Sequence, residues 1–170
     1  MSAFDYQVMR HLDGAYNVAQ WYLGNRADAE DAVQDAVLSA YNSFPQFKGE
    51  NARAWLFQIV RNRCLRMLES RGRTQPVSEE ELEQVVSDQT WQDPEASLIA
   101  KVRTSVLKEE IGSLPEGLRE VIVLRELEGL SYAEIAAVIA SPVGTVMSRL
   151  SRARAQLLSR LKLRMEEVGA

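Results

Sequence analysis

Six basic side chains and no acidic one lie between Ser141 and Met165 of this 170-residue chain: Arg149, Arg152, Arg154, Arg160, Lys162 and Arg164. A run of that sign attracts phosphate. Within it Val143, Val146, Leu150, Ala153, Leu157 and Leu161 recur at steps of three and four, which predicts a helix with one buried stripe. Thr145, Ser148, Arg149 and Arg152 fall on a different face. Hydroxyl and guanidinium groups placed there can bond base edges and phosphates in a DNA major groove. A plain solvated face is the alternative, and the absence of any acidic residue in the run argues against it.

The element that must position this helix lies just upstream. Ser131 followed by Glu134 is a capping box, so a helix begins at Tyr132 with Ile135, Ala136 and Ile139 on one face. Ala140-Ser141-Pro142 supplies a second cap with proline at the first helical position, so the next helix is expected to start at Pro142. A short helix, a tight corner and a second helix bearing small polar and arginine side chains make a helix-turn-helix, whose second helix enters the major groove.

A second basic region precedes it. Asn51 caps a predicted helix running to about Arg71, with Trp55, Leu56, Ile59, Val60, Leu65 and Leu68 mainly inward and Arg53, Arg61, Arg63 and Arg66 around them. The loop from Pro45 to Glu50 carries Phe47 and Lys48. Aromatic rings beside a basic helix suit single-stranded nucleic acid, because bases stack on rings while arginines hold the backbone. Spacing alone assigns Trp55 to the core.

Two further helices lead into this region. The first spans Asp5 to Leu23 on the period of Val8, Leu12, Ala15, Tyr16, Ala19 and Leu23, and Gly24-Asn25 stops it. Asp28 is expected to cap the second, whose core stripe is Val33, Ala36, Val37, Ala40 and Phe44 and whose end is Pro45. Its opposite stripe is Asp31, Gln34, Asp35 and Leu38, either a solvated face or a docking surface for a basic partner; periodicity alone favours solvation. Downstream, Thr74 to Pro94 lacks any sustained apolar period and reads as a linker. Helical spacing resumes over Leu98–Ile111 and Pro115–Leu127, with Gly129 as the stop.

The net charge of −4 seems unsuited to a nucleic-acid binder until it is resolved along the chain. Residues 1–44 hold two basic and six acidic side chains, 45–75 seven basic and two acidic, and 76–100 seven acidic and none basic. Two basic segments are thus separated by an acidic one. A single cysteine, Cys64, and a single histidine, His11, supply neither an intramolecular disulfide nor a metal-ligand cluster. Cys64 is expected to be half-buried packing and His11 a helix-surface residue. Without a glycine-rich phosphate loop or a nucleophile beside a base, neither an enzyme nor a cofactor is expected. No run of about 18 apolar residues and no charged-then-apolar leader occur, so membrane insertion and secretion are not expected and the cytoplasm is the expected compartment.

In this order the features resemble the extracytoplasmic-function group of bacterial RNA polymerase sigma factors. The blocks that carry the likeness are NRADAEDAVQDAVLSAY at 25–41, FKGENARAWLFQIVRNRCLRML at 47–68 and SLPEGLREVIVLRELEGLSYAEIAAVIASPVGTVMSRLSRARAQL at 113–157. The resemblance implies an all-α fold with two small helical domains, 1–73 and 97–170, joined by a flexible acidic linker at 74–96. The first domain would bind core RNA polymerase and melt the minus-ten promoter element; the second, a helix-turn-helix, would read the minus-thirty-five element.

It also implies roles for single residues. Asp31, Gln34, Asp35 and Leu38 become the polymerase-docking face, against the solvated reading. Asn62 falls where the family receives a flipped-out base, with Phe47 and Lys48 in the adjoining loop and Arg61 and Arg66 beside it on the minus-ten side. Thr145, Ser148, Arg149 and Arg152 become the minus-thirty-five face. Core polymerase, promoter DNA and an anti-sigma factor are the implied partners. Members commonly read GTVKSRL or GTVRSRL; Met147 removes that charge here, and Ala140-Ser141 replaces a glycine-containing corner. The rival functions are a sigma-like mimic that sequesters an anti-sigma factor, weakly favoured by Met147, and a helix-turn-helix repressor, which would need a dimerisation helix.

Overall fold

The computed structural model describes residues 1–72 and 104–169, and every regular element among them is helical. The helices are α1 (Ala3–Gln7), α2 (Leu12–Leu23), α3 (Arg26–Ser43), α4 (Ala52–Ser70), α5 (Thr104–Gly112), α6 (Glu116–Ile122), α7 (Tyr132–Ile139) and α8 (Val143–Gly169). The chain divides into two compact units, Met1–Gln75 with Val123–Val143 and Pro76–Ile122 with Gly144–Ala170. The linker expected at Thr74–Pro94 and the start of the helix expected from Leu98 lie outside the described residues.

In the first unit α2, α3 and α4 pack on one another and α7 packs on α4. The single helix expected over Asp5–Leu23 is interrupted at Met9–His11 by a tighter 3-10 turn. Ser2 starts a separate helix through a capping box with Asp5. Phe4 then meets Tyr41 and Phe44 edge to face at 5.3 and 5.5 Å, which anchors that turn to the end of α3. The apolar period survives the break, with Val8, Ala15, Ala19 and Leu23 all buried.

Asn25, not Asp28, caps α3. Its Oδ1 accepts the Asp28 backbone N–H at 2.9 Å while its Nδ2 donates to the Asp28 carboxylate at 2.6 Å. Gly24 closes α2 in the left-handed conformation at φ 80°, so α3 starts as soon as the chain has turned. Ala29, Ala32, Ala36 and Ala40 are buried with Val33, and such small side chains let α3 approach α2 and α4 closely.

Asn51 caps α4 as expected, accepting the Ala54 N–H at 2.9 Å. Leu56, Phe57, Val60, Cys64 and Leu68 are its buried residues of larger size. Phe57 meets Gly14 of α2: a Cβ added there would lie 2.8 Å from the Phe57 ring and 2.6 Å from Glu128 Oε1. Gly14→Ala should therefore destabilise the fold by about 1–3 kcal/mol despite its better helix propensity. Urea denaturation checks this, and a stabilised variant would refute the close packing.

α7 begins at Tyr132 behind the expected Ser131–Glu134 capping box and buries Ile135, Val138 and Ile139. It closes on Ala140 at φ 53°, a left-handed conformation in a residue with a Cβ. That strain is about 1–2 kcal/mol, so Ala140→Gly should raise the melting temperature by a few degrees, less the extra entropy glycine gains on unfolding. A lowered melting temperature would contradict it.

α8 starts at Val143, one residue after the expected Pro142. Preceding it in the chain, α6 passes into one π turn, Val123–Leu127, before Gly129 at φ 71° ends the segment. In the second unit Ile111, Leu114, Leu118, Val121 and Ile122 are buried, as are Val146, Leu150, Ala153, Ala155 and Leu157 of α8. Arg164 ties α8 to α5 through Glu109 at 2.8 Å and Glu110 at 3.0 Å. The apolar stripe read for α8 is shorter than its spacing suggests. Val143 at its first position is 40% exposed, and Leu161 is only half-buried.

Candidate nucleic-acid interface

On α4 the loop and helix residues form one continuous surface. Phe47 follows the 3-10 turn Phe44–Gln46 and stacks on Trp55 at 4.5 Å and on Phe44 at 6.0 Å. Gly49 leaves room for this, since a Cβ there would lie 2.8 Å from the Phe47 ring. Trp55 is thereby half-buried in an aromatic group rather than sealed in the interior. Trp55, Ile59, Asn62 and Arg66 follow at helical steps of four, three and four, on one side of α4. Asn62, Arg66 and Lys48 are exposed and Arg61 is half-buried. Rings, an amide and cations in line match what an unpaired strand needs: stacking surfaces, a base-edge bond and phosphate contacts.

The other cations of α4 are engaged within the fold. Arg63 pairs with Asp35 of α3 at 2.7 Å. Arg53 meets both carboxylate oxygens of Glu134 at 3.1 and 3.2 Å, and Asn51 Nδ2 donates to the same carboxylate at 2.8 Å. Glu134 also accepts the Ser131 N–H at 2.9 Å. Burial opposes its charge, but the Ser131 N–H, Asn51 and Arg53 together outweigh that and bring the carboxyl down to about 2. Its partners Arg53 and Asn51 are about 80 residues earlier in the chain, and no local pattern announces them.

Cys64 is fully buried, beyond the half-burial expected, and this pushes its thiol up to about 12 even with Arg63 adjacent. Native protein should therefore resist maleimide at pH 8 and react only on unfolding. Rapid labelling of the folded chain would contradict the packing. His11 is half-buried; desolvation, with Arg10 and Arg53 nearby, lowers its pKa.

On α3 the stripe Asp31, Gln34, Asp35 and Leu38 is exposed along its length. Leu38 is 63% exposed and Tyr41, one turn on, 62% exposed. Asp35 is the member of the stripe held by Arg63.

On α8, Thr145, Ser148, Arg149 and Arg152 are all half-buried. Ser148 Oγ accepts a hydrogen bond from Arg152, so these two act as a pair. Arg149 is directed elsewhere, toward the buried carboxylate of Glu120 at 4.0 Å, with its Nε buried and unbonded. Glu120 was not singled out from the sequence; a glutamate on an apolar helix, Glu116–Ile122, was the available signal.

Among the described residues no cluster of three His, Cys, Asp or Glu could hold a metal ion. No single described helix is long and apolar enough to cross a membrane.

Comparison with known proteins gives the family. Residues 7–74 match sigma-70 region 2 and residues 105–157 match sigma-70 region 4. RNA polymerase sigma-H factor of Pseudomonas aeruginosa is 35% identical over 89% of this chain and 82% of its own length. ECF RNA polymerase sigma-E factor of Escherichia coli K12 is 36% identical over 89% of this chain and 83% of its own. Among solved structures, the sigma factor RpoE bound to the anti-sigma factor NepR from Bartonella quintana aligns with TM-score 0.71 and 26% identity over 95% of this chain and 98% of that one. CnrH in complex with the cytosolic domain of CnrY gives 0.65 and 28% over 95% and 88%. With both regions matched in order and relatives above 30% identity along most of their length, the chain belongs to the extracytoplasmic-function group of RNA polymerase sigma factors.

Proposed function

We propose that this sigma factor divides its work among three surfaces. It docks on core RNA polymerase through Asp31, Gln34, Asp35 and Leu38 of α3. It engages the melted minus-ten strand through Phe47, Lys48, Arg61, Asn62 and Arg66. It reads the minus-thirty-five duplex through Thr145, Ser148 and Arg152 of α8. The observation that carries this assignment is the alignment of the Phe47–Trp55 stack with exposed Asn62 and Arg66 along α4. Extruding a base costs a few kcal/mol of stacking and pairing, and a pocket that holds it offsets that cost without ATP.

The domain division proposed with it is 1–73 and 97–170, joined through 74–96. The protein acts in the cytoplasm, where its polymerase is, and an anti-sigma factor is its partner, as the anti-sigma factor NepR is in complex with RpoE of Bartonella quintana. A mimic that only titrates an anti-sigma factor has no use for the Asn62 and Arg152 faces. A repressor reading leaves the match to region 2 unused.

Reconstitution with core polymerase on a genomic library, followed by mapping of transcript starts, tests the proposal. The expected result is a discrete set of starts sharing two upstream elements; transcripts no different from core polymerase alone would reject it. On isolated promoters, Arg152→Ala should cost about 1–3 kcal/mol and relax base choice at one position. Arg149→Ala should instead lower thermal stability and leave the salt dependence of DNA binding unchanged, because its charge serves Glu120. A flattened salt slope would return Arg149 to the phosphate-contacting role that its sequence position suggests.

A further inference from the structure

The outward side of α8 carries an apolar residue where polar contacts are expected. Met147 is 53% exposed between Val146 and Leu150, which are buried, and Val143 at the start of the helix is 40% exposed. Its neighbours on the outward surface are Gly144 and Ser151, at helical steps of three and four. A Cβ at Gly144 would meet nothing within 4 Å, so the helix backbone is open to close approach there. Thus a long, flexible thioether stands over a small-residue surface in the second turn of the helix.

Resting on the proposal that α8 enters the major groove, we infer that Met147 reads the 5-methyl group of a thymine in the minus-thirty-five element. Base-pair edges in the major groove present donors, acceptors and one apolar group, the thymine methyl. A thioether has no proton to donate and accepts weakly, so among these groups the methyl is its matching partner. Within the basic run, Arg160 and Lys162 supply phosphate attraction that brings the helix to DNA, while Arg149 and Arg164 face carboxylates of their own unit, and this leaves position 147 to serve base choice. The Ser148–Arg152 pair lies on the adjoining surface and supplies the polar contacts to neighbouring bases.

The test uses holoenzyme assembled from the full chain and core polymerase on a promoter recovered from the library. Each thymine of the upstream element is replaced in turn by deoxyuridine, which keeps pairing and removes only the methyl. Wild-type affinity should fall about three- to fivefold at one position, the scale of one buried methyl group. Met147→Ala should bind the thymine promoter more weakly and show no further loss with uracil at that position. Met147→Lys should be equally insensitive to uracil there and acquire a steeper salt dependence. Equal wild-type binding with uracil at every position overturns the inference while leaving the DNA-reading assignment standing. A uracil effect that persists in Met147→Ala also overturns it, since DNA shape or another residue would then be responsible. If no promoter is recovered and duplex DNA is not bound at all, the inference fails together with the reading beneath it.

Discussion

Asp31→Arg combined with Leu38→Arg is expected to reduce affinity for core polymerase at least a hundredfold while leaving the helical content of the free protein intact. Both side chains are exposed; Leu38 is uncharged, and Asp31 acts on Arg71 only at a distance while Asp28 is its direct partner, so the fold should tolerate their loss. A leucine 63% exposed in an acidic stripe is, on the proposed docking surface, the side chain that a partner would bury. Replacing such an anchor costs about 2 kcal/mol or more, and opposing a basic partner with new positive charge adds several more. Asp35 is a poorer choice for the test because its carboxylate holds Arg63 at 2.7 Å; Asp35→Arg would set two guanidinium groups together and confuse a folding defect with a binding defect. A pull-down at moderate salt with unchanged affinity for the double variant would remove α3 from the docking surface.

Much of this arrangement was legible because its causes are local. The Ser131–Glu134 box and the Asn51 cap each depend on residues three apart, and both formed where the sequence placed them. The buried stripe of α8 follows from spacing within one helix, and only its ends, Val143 and Leu161, departed from it. What escaped the sequence depends on distant partners. Phe4 breaks the first expected helix because the rings of Tyr41 and Phe44 are there to receive it. Trp55 has the spacing of a core residue, yet Phe47 from the preceding loop covers it and leaves it at the surface edge.

The candidate site divides in the same way. Spacing puts Ser148 and Arg152 on a face apart from the buried stripe and Arg66 around the core of α4, whereas Asn62 comes from the family resemblance alone; all four are half-buried or exposed in the structure. Arg63 is of the same type but is held by Asp35 at 2.7 Å, and Arg149 is turned toward Glu120 at 4.0 Å. Charge counting along a helix cannot distinguish a free cation from one neutralised by a carboxylate on another helix. Only the tertiary pairing makes that distinction, and it shortens the list of arginines able to meet DNA.

Glu134→Gln should destabilise the first unit strongly at neutral pH and hardly at all in acid. The carboxylate closes its own helix through Ser131, then bridges to Asn51 and Arg53 at the start of α4, so one charge secures two helix N-termini. Its folded value of about 2 lies below the ordinary 4.5. The sign follows: a depressed carboxyl contributes fully above 4.5, loses its contribution as pH falls toward 2, and contributes nothing below. With Arg53 partly open to solvent, which screens the pair, the difference corresponds to about 1–2 kcal/mol at pH 7. Glu128 acts with the opposite sign, because burial raises its carboxyl and Asn17 and Arg53 only partly compensate. Glu128→Gln should therefore be neutral or stabilising at pH 7, while Glu134→Gln is costly in the same buffer. Urea denaturation at pH 7, 5, 4 and 3 separates the two. A Glu134→Gln penalty equally large at pH 7 and pH 3 would show that the side chain's shape, not its charge, holds α7 to α4. Arg53→Met and Ser131→Ala, each combined with Glu134→Gln, then apportion the charge between the bridge and the cap. Coupling to Arg53 as well as to Ser131 is the expected result, and coupling to Ser131 alone would reduce the Arg53 contact to a surface ion pair of little consequence.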